Sequence, residues 1–184
     1  TGASAIQFVP ELQKQVAQLD LYQRTAPWIM PKPDREISAR ERNRFQRLPL
    51  LQKAWRGLIY GLLESRVIGF AMAPRIMKVA EWVSKGFIKR SIKDPVLRAK
   101  VTPNYRMGCK RVLISNNYYP ALAQANVNVI SDGIREIRAN SIVTSDGQER
   151  PIDAIIFGTG FTPSDPLPRN VLFGRDGVDL LDTW

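Results

Sequence analysis

The sequence predicts an α/β fold interrupted by an all-helical block, and three observations predict it. A glycine-containing N-terminal segment runs directly into an apolar helical pattern. Short β-patterned segments follow that helix and return after residue 100. Between them, residues 34–100 carry helix signals and no strand signal.

Thr1-Gly2-Ala3-Ser4-Ala5 matches the second half of a G-x-G-x-x-G/A fingerprint, which places a strand and a first glycine ahead of Thr1. Gly2 has no side chain, so backbone can approach a pyrophosphate, and Ala5 lets the helix pack closely on a sheet. The N–H groups of the helix start then face the phosphates. A plain helix start has the same composition, and the pentapeptide alone does not separate the two. Ile6, Val9, Val16 and Leu19 fit one helical face, with Pro10 predicting a kink or a shifted first turn. Leu19 to Gln23 alternates as a short strand. Together these form part of a Rossmann-type βαβ unit. In such units the residue about 20 positions past the fingerprint touches the adenosine ribose. Arg24 holds that place, and an arginine there accommodates the 2′-phosphate of NADP rather than NAD. A solvated cation at a strand end is the alternative reading of Arg24.

Composition narrows the classes. The single cysteine, Cys109, allows no intramolecular disulfide and no C-x-x-C pair, so a reducing, cytoplasmic compartment is expected. The chain has no histidine, which removes imidazole as a base or a metal ligand, and no metal site is expected. The most apolar stretch, Leu58 to Ala73, contains Glu64 and Arg66 and is shorter than the ~20 residues of a membrane span. The net charge of +10 is uneven: residues 32–111 hold 20 of the 27 Lys and Arg but 6 of the 17 Asp and Glu. Such a block fits nucleic acid, an anionic membrane surface or a polyanionic cofactor. Arg35, Arg40, Arg42, Arg44 and Arg47 alternate with Glu36 and Glu41 along a helical pattern, which reads as a solvated face. Nucleic-acid binding is therefore not expected, while peripheral membrane contact stays open.

Pro27, Pro31 and Pro33 close the first α/β piece. Ser38-Ala39-Arg40-Glu41 is a capping box, opening a helix that ends before Pro49. A longer helix is predicted from Leu50 to Met72, with Gly57, Gly61 and Gly69 inside it, and another from Pro74 to Phe87. Asp94-Pro95 supplies an N-cap and a first-turn proline for a helix to Lys100. Strands are expected at 111–115, 127–130, 134–138, 141–144 and 154–157, with turns at Asp132-Gly133 and Asp146-Gly147. The apolar run Ile152 to Phe157 reads as a buried parallel strand ending in Gly158-Thr159-Gly160-Phe161. Glycines there let backbone approach a ligand, or simply make a tight turn. The layout is a nucleotide-binding domain formed by residues 1–33 and 101–152, with 34–100 inserted into it.

Four stretches, in order, resemble the flavin-dependent Baeyer–Villiger monooxygenases within the wider flavin-containing monooxygenase group. They are T-G-A-S-A-I-Q at 1–7, Y-Q-R-T-A-P-W at 22–28, G-C-K-R at 108–111 with N-Y-Y-P-A-L at 117–122, and D-A-I-I-F-G-T-G-F at 153–161. The resemblance implies an enzyme in which NADPH reduces bound FAD and the flavin captures O₂ as a C4a-peroxide. Oxygen is then inserted beside a ketone or aldehyde carbonyl, or added to a nitrogen or sulfur centre, of a small organic substrate. It places Gly2, Ser4 and Ala5 at the NADP pyrophosphate, Arg24 and Thr25 at the 2′-phosphate, and Lys110 as a second cation there. Arg111 becomes the catalytic arginine beside the flavin. Gly158, Thr159 and Gly160 become cofactor-binding, and residues 153–184 a return segment toward the FAD-binding domain. Neighbours on an extended segment face opposite sides, which suits Lys110 and Arg111 to different ligands; two basic residues ahead of an edge strand is the alternative. Asn117 stands where an acid is common, and Gly158 where alanine is. The resemblance also implies a central fragment, inactive alone. A pyridine nucleotide–disulfide reductase is disfavoured by the missing C-x-x-C pair and the helical block, and a basic module for nucleic acid or membrane is the remaining alternative.

Overall fold

Strand pairing across long sequence distances organises the molecule. The computed structural model describes residues 2–67, 77–160 and 168–183. Helix α1 (Ala5–Leu12) buries Ala5, Ile6, Val9 and Pro10 on one side, and Pro10 stays within the helix, which ends two residues later. Strand β1 (Leu19–Tyr22) follows, then the two-residue β2 (Ile29–Met30). Among the described residues four helices follow: α2 (Ala39–Arg47), α3 (Pro49–Val67), α4 (Met77–Ser91) and α5 (Pro95–Val101). The chain returns as β3 (Leu113–Ile114), α6 (Tyr118–Leu122) and β4 (Val127–Ile130). β3 lies parallel to β2 with Ile29 opposite Leu113, and β4 lies parallel to β1 with Leu19 opposite Val127. Among the described residues three antiparallel strands follow: β5 (Ile134–Ile137), β6 (Ser141–Thr144) and β7 (Glu149–Pro151), with β6 central. A short helix, α7 (Leu180–Thr183), follows.

One core joins α1, the parallel strands, α6 and the second half of the helical block. Ala5, Ile6 and Val9 of α1 pack with Ile29, Leu113, Val127 and Val129 of the parallel strands, and with Tyr118, Tyr119 and Leu122 of α6. Ile88 of α4, Ile92 just after that helix, and Val101 of α5 enter the same core, so the second half of the helical block is built onto the strands. A smaller cluster holds Trp28, Met77 and Met107. No described residue of α2 or α3 is buried. Among the described residues, no helix is long and apolar enough to cross a membrane.

Local chemistry explains the helix and turn boundaries. Ser38 Oγ accepts from Glu41 N at 3.3 Å while the Glu41 carboxylate accepts from Ser38 N at 3.2 Å, the reciprocal cap that starts α2. Asp94 accepts from Val96 N and Leu97 N at 3.0 and 3.1 Å, starting α5. Pro120 falls in the first turn of α6, where a missing N–H costs no helical hydrogen bond. Asp146 accepts from Thr144 Oγ1 and Gln148 N, and Gly147 takes φ +84°, closing the β6–β7 turn.

The expected strand at 154–157 does not form. Residues 152–160 are irregular, and Ile155, Ile156 and Phe157 are 38%, 55% and 74% exposed. An apolar run provides the side chains of a buried strand but not its ladder hydrogen bonds, and no described strand lies alongside to supply them. The strand expected at 111–115 contracts to Leu113–Ile114, leaving Arg111 in a loop. The junction of the two long predicted helices, including Gly69, Met72 and Pro74, lies outside the described residues, as does Phe161.

Because α5 carries Val101 into the core, its cap should matter to global stability. Asp94→Ala is expected to lower unfolding stability by about 1 kcal/mol, with Asp94→Asn nearly neutral, in denaturant titrations.

Candidate functional site

In parallel α/β sheets ligands collect beyond the carboxyl ends of the strands. There a cleft of ≈570 Å³ opens between the first turn of α1 (Ile6, Gln7), the chain leaving β2 (Lys32 to Glu36) and the chain leaving β3 (Ile114 to Asn117). Asn116 fixes its floor: its Oδ1 accepts from Lys32 N at 2.8 Å and its Nδ2 donates to Lys32 O at 2.9 Å. A wider cleft of ≈750 Å³, near Gln18, Asp20, Asn128 and Arg150, lies at the amino ends of β1 and β4. Neither cleft is lined by a sequence-derived site residue; the first is the better candidate because it lies at the carboxyl ends of the parallel strands, despite its smaller size.

The glycine turn leads into the first turn of α1, which lines the first cleft through Ile6 and Gln7. Gly2 O accepts from Ile6 N at 3.2 Å, and a side chain built on Gly2 would meet nothing within 4 Å. Open space there leaves room for a ligand. Ser4 is exposed at the N-cap and its side chain makes no capping bond, whereas Ala5 is buried against the core. Gly158 sits against the same helix: a Cβ added there would lie 3.5 Å from Phe8 Cζ, an ordinary contact that an alanine could make. Thr159 is exposed, and Gly160 has φ +104°, a conformation that favours glycine.

Arg24 stands exposed just past β1, after Gln23, whose Nε2 donates to Lys100 O at 3.2 Å. Thr25 beside it is half-buried. Lys110 and Arg111 are exposed on the loop before β3. Lys110 Nζ lies 4.9 Å from the centre of the Tyr105 ring. The loop is fastened to the body by Trp28 Nε1, which donates to Tyr105 O at 2.8 Å, and by Glu81 Oε1, which accepts from Met107 N at 2.9 Å. Among the described residues no acid pairs with Arg24, Lys110 or Arg111, whereas Lys32 pairs with Asp34 and Arg35 with Glu41.

Those internal pairs set the charge around the cleft. The Arg35 guanidinium donates twice to the Glu41 carboxylate at 2.7 Å and, with the Ser38 N–H, holds its carboxyl at about 2. Burial pushes the Tyr118 and Tyr119 phenols well above their ordinary value, keeping both neutral. Among the described residues no group of three or more His, Cys, Asp or Glu is placed to hold a metal.

The structure therefore brings Gly158 onto the helix that begins at the glycine turn. Among the described residues no hydrogen bond, ion pair or ring contact joins Arg24 to Lys110, or Arg111 to Gly158–Gly160. Sequence reasoning missed Asn116, Trp28 and Glu81. Each acts on backbone atoms of a distant segment, and such bonds leave no spacing to read.

Glu41 supplies a pH test. A carboxylate depressed from 4.5 to about 2 contributes fully above 4.5, and that contribution is lost as pH falls through about 2. Helix α2 should therefore keep its cap to roughly pH 3, and Glu41→Gln should remove this pH dependence in residue-resolved NMR titrations.

No family model matches the chain. It is 65% identical over 184 residues to a Baeyer–Villiger monooxygenase of Pseudomonas aeruginosa, covering all of this chain and 35% of that protein. It is 48% identical over 185 residues to a Baeyer–Villiger monooxygenase of Streptomyces coelicolor, covering 36% of it. An FAD-binding monooxygenase of Aspergillus niger is 35% identical, with 30% of its length covered. Among solved structures, steroid monooxygenase bound to NADP superposes with a TM-score of 0.75 at 23% identity, over all of this chain and 42% of that one. Open cyclohexanone monooxygenase gives 0.74 at 21%, covering 43% of that chain. These structures establish the mixed α/β fold. The chain spans about a third of the length of the curated relatives it matches. Over its whole length the chain is similar to proteins named Baeyer–Villiger monooxygenase.

Proposed function

We propose that the chain forms the NADPH-recognising part of a flavin-dependent monooxygenase that uses FAD and O₂ to oxygenate a small organic substrate. Residues 1–33 and 101–152 form a partial Rossmann-type NADP-binding domain, 34–100 an inserted helical block, and 153–184 a segment returning toward the FAD-binding domain. The observation that carries this reading is the 65% identity, without interruption, to a Baeyer–Villiger monooxygenase. The Pseudomonas aeruginosa and Streptomyces coelicolor relatives share that name, which favours insertion beside a ketone or aldehyde carbonyl over oxidation at nitrogen or sulfur. The complete reaction belongs to a protein of the relatives' length. The lone, exposed Cys109 suits a reducing, cytoplasmic setting.

The residues present fit a dinucleotide phosphate. Open space at Gly2 admits a pyrophosphate beside the first turn of α1, with Ser4 and Ala5 completing that turn. Arg24 and Thr25, past the end of β1, meet the 2′-phosphate, with Lys110 as a second cation. An arginine without an acidic partner is free to make a forked pair with phosphate oxygens. Arg111 faces the flavin, where a guanidinium charged at any working pH stabilises developing negative charge and orients the nicotinamide. Gly158, Thr159 and Gly160 bring backbone close to the bound cofactor. When bound, FAD supplies the oxygen-activating chemistry, with electrons from NADPH.

Arg24→Ala is expected to raise the NADPH dissociation constant about tenfold or more while changing that of NADH by less than about twofold. Calorimetry with both nucleotides measures this, and equal losses would remove Arg24 from the 2′-phosphate.

A second contact is favoured by α3. Leu51, Trp55, Leu58 and Leu62 fall on one helical face and are all exposed, near Arg40, Arg42, Arg44 and Arg47 of α2. An apolar stripe beside arginines suits the surface of an anionic membrane. Co-sedimentation with phosphatidylglycerol vesicles is expected, with little on phosphatidylcholine, and Leu58→Asp with Leu62→Asp should abolish it. Retention on neither vesicle would sink this contact.

A further inference from the structure

Lys110 and Arg111 stand on backbone without regular secondary structure, between Thr102 and Val112. Their positions depend on how that backbone is held. At one end, Leu113 N donates to Trp28 O at 2.9 Å, the first bond of the β2–β3 pairing. At the other, Met107 N donates to Glu81 Oε1 at 2.9 Å, and the Met107 side chain is buried in the cluster with Trp28 and Met77. Between these clamps run Gly108, at φ +103°, and a turn in which Cys109 N donates to Arg106 O at 3.2 Å. Lys110 and Arg111 follow at once.

Glu81 is built to hold rather than to pair. It lies in a strongly basic block, yet no cation among the described residues forms an ion pair with it. Its hydrogen bond goes to a backbone N–H. The helix that carries it is itself fixed: one turn on, the fully buried Ser84 Oγ donates to Ile29 O at 2.8 Å, and one further turn on Ile88 enters the main core. Residues three apart share a helical face, so Glu81 and Ser84 reach from one side of α4 to the cation loop and to β2.

We propose that Glu81 is a positioning residue of the nucleotide site: by fixing the Met107 amide it sets where Lys110 and Arg111 stand, and makes the helical block part of cofactor discrimination. The inference rests on the reading that Lys110 meets the 2′-phosphate. Removing the acceptor frees the loop at Met107 while the Leu113 end stays paired, so the loss falls on the group Lys110 recognises. A shift in overall folding would instead affect NADPH and NADH alike.

The test uses the 184-residue chain with Glu81→Ala, Glu81→Gln and Lys110→Ala, reading NADPH and NADH dissociation constants and hydrogen exchange at the Met107 amide. Glu81→Ala is expected to weaken NADPH about fivefold, with NADH nearly unchanged, and to speed Met107 exchange. Glu81→Gln retains an oxygen acceptor and should restore both. Adding Glu81→Ala to Lys110→Ala should then cost little more, since both act on one contact. Equal loss of both nucleotides, no rescue by glutamine, or unchanged Met107 exchange would each overturn the proposal. If Lys110→Ala leaves NADPH binding intact while Met107 exchange still responds to Glu81→Ala, the failure lies in the phosphate reading of Lys110, and the functional half of the proposal falls with it.

Discussion

Ile29 is the residue on which the rest of the structure depends. Its side chain is wholly buried in the main core, its strand pairs with Leu113, and its carbonyl oxygen accepts the Ser84 hydroxyl. Three parts of the chain that are remote in sequence therefore meet at one residue. Neighbouring Trp28 extends the junction by holding Tyr105 O through its indole N–H and Leu113 N through its carbonyl. The cation loop, the cleft floor at Asn116 and the seating of α4 all follow from that meeting point. Buried polar groups tied to backbone in this way tolerate little movement, because a donor or acceptor stripped of its partner loses the compensation for its desolvation.

Charge is distributed with the same logic. The chain is strongly basic, yet the cations close to the cleft floor are neutralised locally, Lys32 by Asp34 and Arg35 by Glu41. Among the described cations without an acidic partner, Arg24 stands just after β1, and Lys110 with Arg111 just ahead of β3. A phosphate-rich ligand would thus meet cations that need not first abandon a carboxylate.

Features determined by adjacent residues were legible in the sequence. The caps at Ser38 and Asp94, the strand at Leu19–Tyr22, the β4 and β6 strands and the Asp146-Gly147 turn each depend on a few neighbours, and each stands where its residue pattern placed it. Strand β2 was not legible, because two residues become a strand only when Leu113 and Ile114 lie beside them. Ala154 to Phe157 shows the converse, a strand-like sequence without a partner in the described residues. That Arg24 falls just past β1 could be counted along the chain, since the strand ahead of it is set by neighbouring residues. The grip of Glu81 on Met107 and of Asn116 on Lys32 could not, since the backbone atoms they engage are the same in every residue.

The parallel pairings also bear on how the chain reaches this state. Asp20 meets Asn128 across 108 residues, and Lys32 meets Asn116 across 84. Contacts of such span are slow to form, because the entropy of closing the loop is lost before the contact returns anything. Helices α4 and α5 need only local contacts to begin, and α4 carries Ser84 while α5 ends a short loop away from β3. Once they dock at Ile29, the loop still to be closed shrinks from the whole insertion to the stretch between Val101 and Leu113. The docked half of the helical block thus serves as a brace during folding, converting a remote strand pairing into a nearby one.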